Sequence, residues 1–476
     1  MFYLLNLVLK TRNFPYTITL GAILAWPEYD NIKRIKMKKT VVTTILVLTL
    51  SLIGFAQSNF DKTKLDNYFN ALEKNNKFMG SVAVSKNGEI IYTKSIGFAD
   101  IENNLKATEN SKYRIGSITK SFTTVLVLKA IEQKKLDLNQ STDKWFPTIK
   151  NAKQITVKHL LSHRSGIHNF TNDKDYLAYN TQPKTEKEMV EIIAKGGSDF
   201  QPDSKAEYSN SNFVLLSYIL EKTFNKSYSE LLQEYIVKPI DLTNTYVFKK
   251  INTSNNECKS YKFVSSWKEE TETNYTIPLG AGAITSTPSD LTKFADALFD
   301  GKLLKSESLE IMKTVKDGYG IGLIQIPFYN SISYGHTGGI DGFSSVYSHF
   351  SEDKISYALI SNGANMNNND ISIAVLSAVY DKPYEIPAFT TFNVTSEELD
   401  KYLGVYSSKQ IALKITITKD GNTLIAQGTG QPALTLEATD KDKFKFDQAG
   451  AKFEFNPTDN KMILFQGGGQ IEFTKE

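Results

Sequence analysis

The feature that most constrains this chain is a change of periodicity at Pro383 and Pro387. Ahead of it, helical and strand patterns are mixed. Leu65, Phe69 and Leu72 recur at helical spacing, and Val82-Ala83-Val84 and Ile90-Ile91-Tyr92 flank Asn87-Gly88, a strong hairpin signal. The proline-free stretch from Ser117 to about Lys134 carries Phe122, Val125, Leu126, Leu128 and Ile131 and reads as a largely buried helix. Phe213 to Leu220 reads as another apolar helix, and Ser344 to Phe350 with Ile355 to Ser361 alternate around Glu352-Asp353 as a second hairpin. From Tyr402 onward, helical spacing disappears. Leu413, Ile415 and Ile417, then Phe444 with Phe446, Phe453 with Phe455, and Ile471 with Phe473 alternate with polar residues between turns. The two patterns call for two architectures. The reading is an α+β unit over residues 58–385, an antiparallel sheet flanked by helices, followed by a small all-β antiparallel barrel or sandwich over residues 395–476. A length of 476 residues suits two cores.

The beginning of the chain reads as an address. Lys38-Lys39 leads into an apolar run from Val41 to Phe55 that ends at Gly54-Phe55-Ala56, the order of a secretory signal over residues 37–56. The run is short for a spanning helix and no basic cluster follows it, so cleavage after about Ala56 is expected, with no membrane span afterwards. Residues 1–36 then read as an extension ahead of a start at Met37 that is untranslated or not native to the protein. Residues 1–56 hold seven of the 55 Lys and Arg and two of the 52 Asp and Glu, leaving 48 against 50 for the remainder. That balance offers no cationic surplus to nucleic acid. The lone cysteine, Cys258, excludes an intramolecular disulfide and a thiolate zinc site, and between Glu257 and Lys259 it reads as a surface thiol. Export and a single cysteine fit a bacterial periplasm or exterior.

The chemistry starts at Ser117-Ile-Thr-Lys120. An i,i+3 spacing at a helix start puts hydroxyl and amine on one face, where a lysine whose pKa is lowered can take the serine proton. The same start leaves the Ser117 N–H free for an oxyanion. The pattern S-x-x-K also begins at Ser141, Ser265 and Ser351, in turn or charged contexts, so it is not specific by itself. Context favours Ser117. Downstream, Tyr208 and Asn210 stand two apart on what reads as a short extended segment, a phenol able to relay protons and an amide able to bind a substrate carbonyl. Tyr334-Gly-His336-Thr337-Gly338-Gly339 then precedes an apolar strand, with glycines that admit a substrate backbone and a Gly339 N–H as a second oxyanion donor.

This set resembles the serine β-lactamase and penicillin-binding protein superfamily, in its class C-like branch of CubicO-type peptidases, D-aminopeptidases and esterases. The resemblance spans roughly residues 60 to 380 and rests on Tyr113-Arg-Ile-Gly-Ser117-Ile-Thr-Lys120, His159-Leu-Leu-Ser-His163-Arg-Ser-Gly166 and Gly280-Ala-Gly-Ala-Ile-Thr-Ser-Thr-Pro-Ser-Asp290 as well as the shorter motifs. It implies acylation of Ser117, proton exchange by Lys120 and Tyr208, a substrate amide held by Asn210, and an oxyanion hole of Ser117 and Gly339. The C-terminal strands are similar to the lipocalin-like module that some CubicO-type peptidases carry. His336 departs from the β-lactamases and carboxypeptidases of the family, which have lysine there. A largely neutral imidazole in place of a fixed cation weakens recognition of a free carboxylate, and so of penicillins.

The remaining candidates have plainer readings. His159, His163 and His168 belong to a helix ending in a turn and are not expected to ligate metal, and Asp290 reads as a helix cap. Tyr261, Trp267 and Tyr275 suit either core packing or a substrate groove. No nucleotide-binding motif is present, so no cofactor is expected. The expected function is a secreted serine hydrolase acting on amides of small peptides, D-residue-containing or cell-wall-derived. The alternatives are an esterase or β-lactamase of the same fold and, from another class, a non-catalytic ligand-binding protein.

Overall fold

The computed structural model of the chain describes residues 60–264, 266–389 and 392–476. The extension 1–36, the signal segment 37–56 and Ser265 lie outside the described residues. Phe60–Glu476 form one compact unit.

Helix α1 (Lys62–Lys74) leads into the hairpin of β1 (Phe78–Lys86) and β2 (Glu89–Ile96). Asn87 and Gly88 have φ of 55° and 81°, the left-handed pair that a tight hairpin of this twist requires. Far along the chain come β3 (Ile324–Phe328), β4 (Ser331–Ile340), β5 (Phe343–Phe350) and β6 (Ile355–Ala364). The two groups join in one antiparallel sheet of order β3-β4-β5-β6-β1-β2.

The alternation expected in β6 is absent, because this strand is central and covered on both faces. It sends Ala358 and Ile360 into one core, Tyr357 and Leu359 into another. The first core contains α2 (Thr119–Glu132), α3 (Asn210–Phe224) and α4 (Pro288–Phe299); the second contains α1 and α5 (Asn368–Val379). Phe122 of α2 stacks on Phe294 of α4 with centroids 3.9 Å apart, and truncating such a ring to alanine costs about 3–5 kcal/mol.

Five local readings change. The Ser117 helix opens with a 3₁₀ turn, Gly116–Ile118, before α2 begins. Asn210 is the first residue of α3, and Ser209 at its cap is extended. The His336 segment is itself the second half of β4. The cap of α4 is Thr287, whose hydroxyl accepts from the Asp290 N–H, while the Asp290 carboxylate accepts from Asn244 N and Thr245 Oγ1. Cys258 is not a surface thiol. It is 1 % exposed, and its charged neighbours mislead because both are tied down: Glu257 accepts from Tyr246 and Asn252, and Lys259 pairs with Glu269.

Beyond the prolines, eight strands β7–β14 (Gly404–Ser407, Lys414–Asp420, Thr423–Gly428, Ala433–Asp440, Lys443–Phe446, Ala451–Asn456, Lys461–Gln466, Gly469–Lys475) form a closed antiparallel barrel, sealed where Tyr406 pairs with Lys475. Tyr402, Tyr406, Phe444, Phe455 and Phe473 fill it, as expected for eight strands, whose interior is just wide enough for side chains. Lys77, at the entry to β1, bridges to Glu437 and Asp447 of the barrel at 2.9 Å each. No helix among the described residues is long and apolar enough to cross a membrane.

Candidate active site

Strand β4 and the segment before α2 touch through glycines. Gly116 has φ +51°, and a Cβ there would lie 2.8 Å from the backbone N, C and O of Gly339. A Cβ on Gly338 would lie 2.0 Å from the Ile115 carbonyl oxygen, which also accepts from Ser345 Oγ at 2.8 Å. Only glycine permits this approach, and it brings Gly339 to the wall of the cavity that Ser117 lines. The turn's first hydrogen bond runs from Ile118 N–H to the Ile115 carbonyl, so the Ser117 N–H precedes the first intrahelical donor. β3 pairs with β4 only as far as Gly335; past that point the outer edge of β4 has no strand partner among the described residues.

Two side chains converge on the serine. Lys120 Nζ lies 2.9 Å and Tyr208 Oη 2.7 Å from Ser117 Oγ. Lys120 Nζ also donates to Asn210 Oδ1 and to the Ala281 carbonyl, both at 2.8 Å. Those two partners are acceptors only in this orientation, with Asn210 Nδ2 turned to Thr171 Oγ1 at 3.1 Å. In the neutral amine they consume both N–H bonds, which leaves the lone pair aimed at Ser117 Oγ. Burial holds the Lys120 pKa well below its ordinary value and pushes that of Tyr208 up. Burial thus favours the uncharged form of both groups, an amine without its extra proton and a phenol with its own.

His163, which sequence reasoning placed in a plain helix-end turn, supports the phenol. Its ring lies 4.5 Å from that of Tyr208, and its Nδ1 accepts from Ser209 N at 3.2 Å. Its only local signal is the turn-forming Arg-Ser-Gly that follows. Arg164 then clamps the neighbouring loops through Asp203 and Asp317. His159 caps its own helix with Thr156, and His168 lies between Asp199 and Asp173, which hold its pKa above the ordinary value against the effect of burial. Among the described residues no group of three His, Cys, Asp or Glu side chains could hold a metal ion.

His336 is 6 % exposed, and its Nδ1 lies 2.5 Å from the Thr337 carbonyl. Burial, with Lys120 nearby, pushes its pKa down to about 4. The structure thus brings together Ser117, Lys120, Tyr208, Asn210 and Gly339, with Ser117, Asn210 and Gly339 on the wall of a cavity of about 430 Å³. The His336 ring is buried on the protein side, with Thr337 and Gly338 beside it on β4. Tyr261 is a packing residue, its hydroxyl donating to Glu102 and accepting from Ile101 N.

The beta-lactamase family model matches residues 65–380. The chain belongs to the beta-lactamase family. It is a serine hydrolase of that fold. It is 24% identical over 449 residues to a penicillin-binding protein of Bacillus subtilis (strain 168), covering 86% of this chain and 97% of the relative. It is 29% identical over 318 residues to the teichoic acid D-alanine hydrolase of Staphylococcus aureus (strain MRSA252), covering 65% and 75%. Among solved structures, the D-amino acid amidase of Ochrobactrum anthropi SV3 superposes with a TM-score of 0.60 at 26% identity, over 66% of this chain and 99% of that one. The sequence-level resemblance to this superfamily therefore holds.

Proposed function

We propose that this protein is an exported hydrolase that cleaves amide bonds of small peptides, D-residue-containing or cell-wall-derived, through an acyl-enzyme on Ser117. The observation that carries the reading is the buried Lys120, held by two acceptors with its remaining valence on Ser117 Oγ. Lys120 takes the hydroxyl proton as Oγ attacks the carbonyl. The tetrahedral oxyanion accepts from the N–H groups of Ser117 and Gly339. Collapse breaks the C–N bond, the leaving amine takes the Tyr208 proton, and Lys120 returns a proton to Tyr208. Water then repeats the sequence on the ester. Asn210 orients the amine as well as lining the cavity, a second duty beside holding the substrate amide.

Substrate class follows from charge. No lysine or arginine is among the residues lining the cavity, and His336 stays neutral down to acidic pH. Both favour neutral-ended substrates over free C-terminal carboxylates, and the D-amino acid amidase and D-alanine hydrolase relatives agree by name. Export rests on the basic, apolar and small-residue order of residues 38–56. The test is labelling by a fluorophosphonate and a fluorescent penicillin side by side, with turnover of a matched peptide amide and acid. Strong fluorophosphonate labelling, weak penicillin labelling and preference for the amide are expected, all lost in Ser117→Ala. Labelling that survives Ser117→Ala, or a strong preference for the acid, overturns the proposal.

A further inference from the structure

Whether Lys120 can serve as a base depends on which atom of the Asn210 amide faces it. With Oδ1 toward Nζ, the amide takes up one of the amine's N–H groups. Turned over, it would present an N–H that competes with Ser117 for the amine's lone pair. Nothing in Asn210 itself separates the two orientations, since amide oxygen and nitrogen have nearly the same shape. A chain of hydrogen bonds from outside the sequence motifs does. It begins at a donor that cannot be reversed, the main-chain N–H of Asn210, which donates to Asn169 Oδ1 at 3.0 Å. Asn169 Nδ2 points elsewhere, to Asn172 Oδ1 at 3.3 Å. The Thr171 hydroxyl donates to the same Asn169 oxygen at 3.1 Å. With its single hydrogen spent there, Thr171 Oγ1 accepts from Asn210 Nδ2, 3.1 Å away, and the Asn210 oxygen is left for Lys120. The reversed chain would set the Thr171 and Asn169 oxygens 3.1 Å apart with no hydrogen between them.

We infer that Thr171 is a positioning residue for the general base: its hydroxyl, oriented by Asn169, holds the Asn210 amide with its oxygen toward Lys120 and so keeps the lysine lone pair on Ser117. This rests on the acyl-enzyme reading above. The fold holds the device in place. Residues Phe170–Asn172 form a 3₁₀ turn that follows Asn169, and the Phe170 ring is anchored in the core. The Phe170 N–H donates to Ser211 Oγ at 3.2 Å, and Ser211 Oγ donates to the His168 carbonyl at 2.6 Å. The turn is thus laced to the start of α3, the same stretch that carries Asn210. Thr171 also lines the cavity, so direct contact with substrate is the competing role that the test must separate.

The test measures single-turnover acylation by a D-amino acid anilide, its KM, and the rate of fluorophosphonate labelling of Ser117. The variants are Thr171→Val, Thr171→Ala and Thr171→Ser, together with Asn210→Ala alone and combined with Thr171→Val. Valine keeps the shape of threonine but leaves Asn210 Nδ2 without its acceptor, which shifts the balance of amide orientations by about tenfold or more. Acylation and labelling should both slow by about that factor, with KM within about threefold, and Thr171→Ala should behave alike. Thr171→Ser, which keeps the hydroxyl, should recover both rates to within about threefold of wild type. In Asn210→Ala there is no amide to turn, so adding Thr171→Val should change either rate by less than about twofold. Rates in Thr171→Val within about threefold of wild type, a loss that serine does not restore, a loss confined to KM, or an equal loss in the Asn210→Ala background overturns the role of Thr171. Absence of Ser117 labelling in the wild type would overturn the acyl-enzyme reading itself, so the two failures are distinguishable.

Discussion

Gly116→Ala is the most searching perturbation of the oxyanion geometry. Two costs can be worked out separately. At φ +51° an alanine sits in the left-handed region at about 1–2 kcal/mol. The added Cβ would then stand 2.8 Å from Gly339 N, C and O, closer than carbon approaches backbone without displacement, so β4 must retreat from Ser117 at the position of the Gly339 N–H. Loss of one oxyanion donor lowers kcat by about 10²–10³-fold. Gly421→Ala is the matched control, since Gly421 has φ +56° and nothing within 4 Å of its added Cβ. The assay is kcat for a D-amino acid anilide together with the melting temperature. Both variants should lose the left-handed cost, Gly116→Ala more in all because β4 is displaced, but only Gly116→Ala should lose kcat, with fluorophosphonate labelling slowed in parallel. A Gly116→Ala enzyme that keeps kcat within about threefold of wild type would refute the argument that the contact between Gly116 and Gly339 sets the oxyanion site.

Lys120→Ala and Tyr208→Phe should each slow acylation strongly, and the double variant little further, because both contact one oxygen, Ser117 Oγ; losses that multiply would show independent action, by single-turnover kinetics. His336, with a pKa near 4 in the fold against an ordinary value of about 6.5, gives a pH window for stability. Between those values the unfolded chain binds the extra proton, so stability falls as pH drops from 6.5 to 4, by roughly 3 kcal/mol in all, and is unaffected above 6.5. Melting curves of wild type and His336→Asn from pH 7 to 5 should converge toward the acid end; parallel curves would rule this out. The fragment 395–476, whose strand ladder closes on itself, should show a cooperative β-type unfolding transition when expressed alone, and circular dichroism showing an unstructured fragment would count against a separate domain.

Periodicity and order were legible without coordinates because they are properties of neighbouring residues. The Asn87-Gly88 turn, the buried helix after Ser117, the alternation after Tyr402 and the motifs at Ser117 and Tyr208 all lie within short windows, where backbone geometry dictates spacing. What required the folded chain was every property set by distant residues. Strand β6 lost its alternation because helices cover both faces, and Cys258 is buried despite its charged neighbours because those neighbours are paired elsewhere. The barrel closed on the pairing of Tyr406 with Lys475. Lys120 meets Asn210 and Ala281 from 90 and 161 residues away. A proton's place on an amine, a phenol or an imidazole depends on solvent exclusion and on which acceptors surround it, and those are fixed only when segments remote in sequence pack against one another.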